Sequence, residues 1–233
     1  MIVERMMLVE EPIEGKRLGR HVEHDPRSKD FPFAAESGTT LVTVEHKRHG
    51  AIFDQGQIGS CTGNAIAGAT NTEPIRGIND HILNENGALC AYIRGSIIDG
   101  FPGYYPHEDT GSSGLAVAKA AKQMGWIKGY SHAFSIDAAL TALQTGPVIT
   151  GVPWYEGFDS PNADGLVEIA GQIRGGHEIV ARSYIAAPNP DDSLIGLDNS
   201  WGPNWGVNGR FYWTVATWRK LLENQGDATI LVP

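Results

Sequence analysis

Apolar and polar positions follow different rhythms in the two halves of this chain. CTGNAIAGATN, residues 61–71, follows the Gly-rich loop Gln55–Ser60 and reads as a short helix. Its small side chains, among them Gly63, Ala65, Ala67, Gly68 and Ala69, suit burial among close neighbours, and Pro74 stops it. Leu89–Ile98 is apolar at helical spacing. A further helix runs from a Ser112 or Ser113 cap to Met124 and ends at Gly125. Ser135-Ile136-Asp137 opens another over 136–144, which Gly146 and Pro147 terminate. Residues 39–45, TTLVTVE, alternate as a half-buried strand does. After residue 147 the pattern shortens: Val148–Val152, Glu178–Ala186, Ser193–Leu197, Arg210–Trp213 and Thr229–Val232 are β-branched or aromatic runs between turn residues. Asn189–Asp192 reads as a turn between antiparallel strands. The pattern predicts an α+β fold of two subdomains meeting at a cleft, mainly helical over 38–135 and mainly β over 136–233. Residues 1–37 are polar, contain proline and are weakly periodic, as an N-terminal arm or short leader is.

Composition adds exclusions. With 41% apolar and 19% charged residues in 233, the chain is core-forming. A formal net charge of −9, with no run of Lys and Arg longer than two, argues against nucleic acid or an anionic membrane as partner. The apolar stretch Met6–Val9 is too short for a signal peptide and is followed by Glu10 and Glu11, and no transmembrane span is expected. The expected location is the compartment of synthesis. Two cysteines, Cys61 and Cys90, are too few for a disulfide scaffold, although one bridge between them stays open. Cys90, inside an apolar run, reads as a small core residue. His21-Val22-Glu23-His24-Asp25 has a metal-like look, but a solvated arm with two exposed histidines is the expectation. No phosphate-cradling Gly-rich motif occurs, and no cofactor is expected.

Three segments carry candidate chemistry. Cys61 follows a loop and begins a helix, where unpaired N–H groups and the dipole favour thiolate. A lone cysteine is nevertheless often an inert core residue. His177 begins a strand after Gly175-Gly176, and Asn199 ends one inside LDNSWGPNWGVNGRFYW, residues 197–213. On their own, a His at a strand start and tryptophans at a corner are commonly structural.

Together these segments resemble the papain family of cysteine peptidases. Gln55-Gly56-Gln57-Ile58-Gly59-Ser60-Cys61 keeps the six-residue step from Gln to Cys. His177 leads the apolar run Ile179-Val180-Ala181, and Asn199-Ser200-Trp201-Gly202 is followed by Trp205-Gly206 and Asn208-Gly209-Arg210-Phe211. His177 and Asn199 lie 116 and 138 residues beyond Cys61, against about 130–150 in that family. The resemblance covers roughly residues 38–233. It implies a papain-like two-subdomain fold, with an N-terminal helical subdomain, a C-terminal antiparallel β-barrel and the active site in the cleft between them. It implies a cysteine endopeptidase with Cys61 as nucleophile, its pKa depressed, and His177 as the partner that holds the proton. Asn199 would orient the imidazole under Trp201, and the Gln55 amide with the Cys61 N–H would take the oxyanion. Gly111-Ser112, Gly176 and Trp201 would contact substrate. The implied partner is a protein or peptide substrate, and the implied state a monomer. A peptidoglycan stem-peptide hydrolase, an isopeptidase or an inactive peptide-binding homologue stay open as alternatives.

The sequence also departs from the family. Thr62 stands where Trp is usual, and Ile58 where a disulfide cysteine is usual. This points to a bacterial or phage-type member with a reduced disulfide framework, cytoplasmic or virion-borne. Residues 1–37 are too few for the family's long pro-region, but long enough to lie across the cleft as a short autoinhibitory arm.

Overall fold

The computed structural model describes residues 3–30, 32–33, 39–77 and 82–233. Residues 1–2, 31 and 34–37 of the expected arm lie outside that set.

The chain opens with a two-stranded pairing, β1 (Glu4–Met6) against β2 (Val22–His24), followed by the short helix α1 (Pro26–Asp30). Of the alternating run 39–45, β3 is only Val44–Glu45, which pairs with Tyr184 and Ser183. Three helices build one layer: α2 (Cys61–Thr70), α3 (Glu85–Ile98) and α4 (Gly114–Gln123). Every residue of α2 is buried. Its bare face lets α3 come very close, since a Cβ at Gly63 would fall 2.3 Å from the Ala88 carbonyl oxygen. Ser113, the second of the two expected caps, accepts from the Ala116 N–H and starts α4. Gly125, at φ +76°, follows the end of that helix.

The remainder is built around a sheet. β4 (Gly129–Ala133) precedes α5 (Ile136–Leu143), which Ser135 caps as expected, and β5 (Val148–Tyr155) and β6 (Ile173–Ile185) follow. Then come β7 (Leu194–Asp198), β8 (Arg210–Thr214), α6 (Val215–Glu223) and β9 (Asp227–Val232). The seven-stranded antiparallel sheet runs β4-β9-β5-β6-β7-β8, with β3 added on β6. The expected barrel is therefore corrected to an open sheet: among the described residues β4 and β8 end the path and do not pair with each other.

Strand character follows position. Central β6 is covered on both faces and is buried almost throughout, whereas β8 alternates, with Phe211 and Trp213 inward and Tyr212 less buried. The larger core packs Trp154, Phe158, Trp201, Trp205, Phe211, Trp213 and Trp218 between the sheet, α5 and α6. A second core joins the helical layer to the sheet through Ile66, Ala69 and Val117 against Ile149 and Val180. The seam between the two layers, where α2 meets β6, carries the site. No helix among the described residues is long and apolar enough to cross a membrane.

Two side-chain expectations are overturned. Cys90 is exposed, because α3 turns that face outward, and both cysteines are free. His21, Glu23, His24 and Asp25 are buried, because the arm carrying them packs into the molecule and does not extend into solvent. Among the described residues no cluster of His, Cys, Asp and Glu could hold a metal ion.

Candidate active site

Cys61 is the first residue of α2 and is fully buried. The N–H groups of Thr62 and Glu178 face its sulfur, so the nucleophile candidate sits beside the strand residue that follows His177. His177 Nε2 donates to Asn199 Oδ1 at 2.7 Å. The Ser200 N–H also donates to that oxygen, at 2.8 Å. Two donors on one atom fix it as the amide oxygen. The imidazole proton therefore lies on Nε2 and the free lone pair on Nδ1, which makes no hydrogen bond. Trp201 and Trp154 enclose the ring, with centroids at 5.0 and 4.7 Å.

Asn199 is placed by what surrounds it. Its neighbour Asp198 is buried and gripped by Arg182 Nε at 2.8 Å and by Arg48 and Arg210 at 3.3 Å each. The Asn199 N–H donates to the Gly209 carbonyl at 3.0 Å, closing the glycine-rich turn that follows. Gln55 is held by Ser200 Oγ, which donates to its Oε1 at 2.6 Å, and its Nε2 is then turned into the cleft.

The cleft is filled by the arm. Gln55 Nε2 donates to the Leu18 carbonyl at 3.1 Å, and Trp201 Nε1 to the Arg17 carbonyl at 3.0 Å. The Ser112 N–H donates to the Gly19 carbonyl at 2.9 Å, and the His21 N–H to the Ser112 carbonyl at 2.8 Å, a parallel pairing. On the other wall the Arg20 N–H donates to the Gly176 carbonyl at 3.0 Å. Residues 17–21 thus use the edges that the sequence assigned to substrate. The walls are shaped for this contact: a Cβ at Gly111 would lie 2.4 Å from the Gly19 oxygen, and one at Gly176 2.3 Å from the Arg20 oxygen. Arg17 ties the arm to the body through Asp109 at 3.1 Å and braces it internally through Glu10 at 3.0 Å.

This cover sets the charge state. Burial pushes the Cys61 thiol well above its usual range, and the negative charge of Glu178 pushes it further. Burial lowers His177 to about 4, although the Asn199 bond opposes that. The expectation of a depressed cysteine is therefore reversed in this state: the pair is neutral thiol and neutral imidazole, and no hydrogen bond links His177 Nδ1 to the sulfur.

Beside the pair lies a buried charge cluster that sequence reasoning did not find. The Arg20 side chain is enclosed between Asp227, which accepts from Nη2 at 2.5 Å, and Glu178, whose Oε2 is 3.8 Å from Nε. Burial, and next the charge of Asp227, raise Glu178 to about 8 against the pull of Arg20. Burial acts to raise Asp227 as well, but Arg20 and His24 outweigh it and hold that carboxyl below its ordinary range. Nothing local in HVEHD or the preceding Arg20 signals these partners.

Solved structures share this arrangement of elements. Xylellain, a cysteine protease from Xylella fastidiosa, matches with TM-score 0.73 and 20% identity over 96% of this chain and 98% of its own. Digestive procathepsin L 3 from Tenebrio molitor larval midgut matches with TM-score 0.64 and 16% identity, over 87% of this chain and 73% of its own. The fold is papain-like. Bromelain from Ananas comosus has TM-score 0.55 at 15% identity, over 78% of this chain and 93% of its own. No protein-family model matches the sequence, and no curated protein does. The papain-like fold thus shared includes the seam between α2 and β6, which carries Cys61 on one side and the His177–Asn199 bond on the other.

Proposed function

We propose that this chain is a cysteine endopeptidase, held latent by its N-terminal arm. The observation that carries the reading is the His177–Asn199 hydrogen bond of 2.7 Å, which leaves Nδ1 unprotonated on the strand whose next residue, Glu178, turns its N–H to the sulfur of Cys61 at a helix N-terminus. In an open cleft, water returns to the site and the penalties that hold both groups neutral fall. The helix N-terminus and the facing N–H groups then favour thiolate, and His177 takes the proton.

A peptide carbonyl entering where the Leu18 carbonyl now lies would meet the Gln55 amide. Attack by the sulfur on that carbon would give a tetrahedral intermediate, its oxyanion on the Gln55 Nε2–H and the Cys61 N–H. The intermediate would collapse as the C–N bond breaks and the imidazolium protonates the leaving amine. Water, deprotonated by His177, would then hydrolyse the acyl-enzyme. Trp201 would keep solvent from the His177–Asn199 bond, and Ser112 and Gly176 would hold the substrate backbone where they now hold the arm.

The neutral resting pair supports latency, because it disfavours the nucleophilic form while the cleft is filled. A cleavage profile on a peptide library, for the chain beside Cys61→Ala, tests the reading. Cleavage that requires Cys61 and grows as the arm is weakened is expected. Equal profiles for the two proteins would end it.

A further inference from the structure

The hollow that receives Arg20 has features that arm anchorage alone does not require. The Arg20 side chain is fully enclosed, yet its Nε and Nη1 make no hydrogen bond, and neither Glu178 oxygen makes one. Its Nη2 donates to Asp227 and to the Gln225 carbonyl, the latter at 2.9 Å. The hollow thus matches a guanidinium in charge but not in full geometry. Buried ion pairs kept for structure generally have their polar atoms satisfied.

Two glycines make the space. A Cβ at Gly151 would lie 2.5 Å from Arg20 Nε and 2.8 Å from Glu178 Oε2, and one at Gly114 would lie 2.5 Å from Glu178 Oε1. The hollow also stands at a fixed distance from the chemistry. Glu178 follows His177, and Arg20 is two residues from Leu18, whose carbonyl meets the Gln55 amide. Gly19 and His21 make the two bonds to Ser112, so Arg20 is the residue opposite Ser112. In an antiparallel chain one residue makes both such bonds. Whichever way an extended chain runs along Ser112, the side chain opposite it meets the same hollow.

We propose that the Glu178–Asp227 hollow is a specificity site for a cationic side chain of the substrate, occupied in this state by Arg20 as a stand-in. The inference rests on the reading of the chain as a peptidase. A substrate running opposite to the arm places there the residue preceding the one whose carbonyl is cleaved. Arginine suits the site better than lysine, because the Asp227 carboxylate, the Glu178 carboxyl and the Gln225 carbonyl surround the planar fork from different sides.

The test uses full-length Arg20→Ala, which empties the hollow and weakens the arm, and full-length Arg20→Ala/Asp227→Asn, which also removes the carboxylate that accepts from the guanidinium. Fluorogenic amides acyl-Arg-Gly, acyl-Leu-Gly and acyl-Glu-Gly are compared by kcat/KM. Arg20→Ala should prefer Arg over Leu by about tenfold or more, the scale of one charged hydrogen-bonded contact, and should discriminate against Glu. The double variant should lose most of the Arg-to-Leu ratio. A binding measurement stands apart from activity: N-acetyl-arginine amide should raise the Tm of Arg20→Ala and leave that of the double variant unmoved. Equal kcat/KM for the Arg and Leu amides in Arg20→Ala would overturn the specificity site while leaving the peptidase reading intact. If no amide is cleaved, the peptidase reading fails and the specificity role with it. A ligand-induced Tm shift would then show a guanidinium site without that role, and no shift would remove the site too.

Discussion

Gly19→Ala isolates the docking of the arm from everything else in the molecule. Gly19 sits at φ +116°, and a Cβ there would fall 2.1 Å from the Gly59 oxygen and 2.6 Å from the Gly59 carbonyl carbon. Both are backbone atoms of the loop that delivers Cys61, so neither yields cheaply. Ordinary contact begins near 3.5 Å, so the arm must withdraw by about an ångström or more. That breaks or stretches the bonds from Ser112 to Gly19, Gln55 to Leu18 and Trp201 to Arg17. Three such bonds at about 1 kcal/mol each, and about 1–3 kcal/mol of backbone strain, put the loss of docking at about 4–6 kcal/mol. The open fraction then rises by about three to four powers of ten, up to full opening. Carbamidomethylation of Cys61 by iodoacetamide at neutral pH, read by peptide mass mapping, reports this fraction when reclosing is fast. Cys90 is exposed and free, so it serves as an internal reference whose rate should not change. If Cys61 is labelled in folded Gly19→Ala at the wild-type rate, the arm does not control access and the reasoning fails.

Other outcomes follow from the same geometry. Glu178 is raised to about 8 from 4.5, so the folded chain retains a proton that the unfolded chain gives up. Its stabilising contribution is complete below the unfolded value and is lost as pH rises through about 8. His177 acts in the opposite sense: lowered to about 4 from 6.5, it reduces stability as pH falls below 6.5. Tm should therefore decline between pH 6.5 and 8, and Glu178→Gln should flatten that decline in a melting series. Asn199→Ala removes the bond that holds the imidazole tautomer, and in a Gly19→Ala background kcat should fall by about 10- to 150-fold with little change in KM. Trp154 is fully buried between His177, Trp201 and Phe211. Trp154→Ala should cost about 3–5 kcal/mol of stability, measured by denaturant unfolding. Cys90→Ser, on the exposed face of α3, should change stability by less than about 0.5 kcal/mol in the same assay.

Much of the site was legible because its signals are local. The block from Leu197 to Trp213 combines turn glycines with tryptophans, and its physical role, closing a turn that fixes Asn199, needs just those residues. Ser113 and Ser135 announced helices because an N-cap acts within one turn. Helix α6 escaped notice although Val215, Trp218, Leu221 and Leu222 are spaced for one buried face. It follows β8 without a linker, and its β-branched start reads as more strand. Residues 39–45 read as an alternating run, yet among the described residues only Val44 and Glu45 of it pair with a strand. The N-terminal pairing of Glu4–Met6 with Val22–His24 was invisible, since register between distant segments is set by tertiary packing. Arg20 was equally opaque: its carboxylate partners lie at positions 178 and 227, and charge complementarity across such separations leaves no trace in the neighbouring residues. The Cys61 expectation failed for a related reason. Cys61 does begin a helix, but the lid that removes water from it comes from residues 17–21, about forty positions earlier in the chain.

That lid and the groove it fills are one covalent molecule. A tethered ligand faces its site at an effective concentration on the order of millimolar, whatever the concentration of the protein itself. Dilution therefore cannot unblock the cleft, and spontaneous opening proceeds as a first-order event in every molecule independently. A single backbone cut between His24 and Gln55 would convert this into ordinary dissociation, after which the thinness of the solution, and no longer the chain, decides how many clefts stand empty.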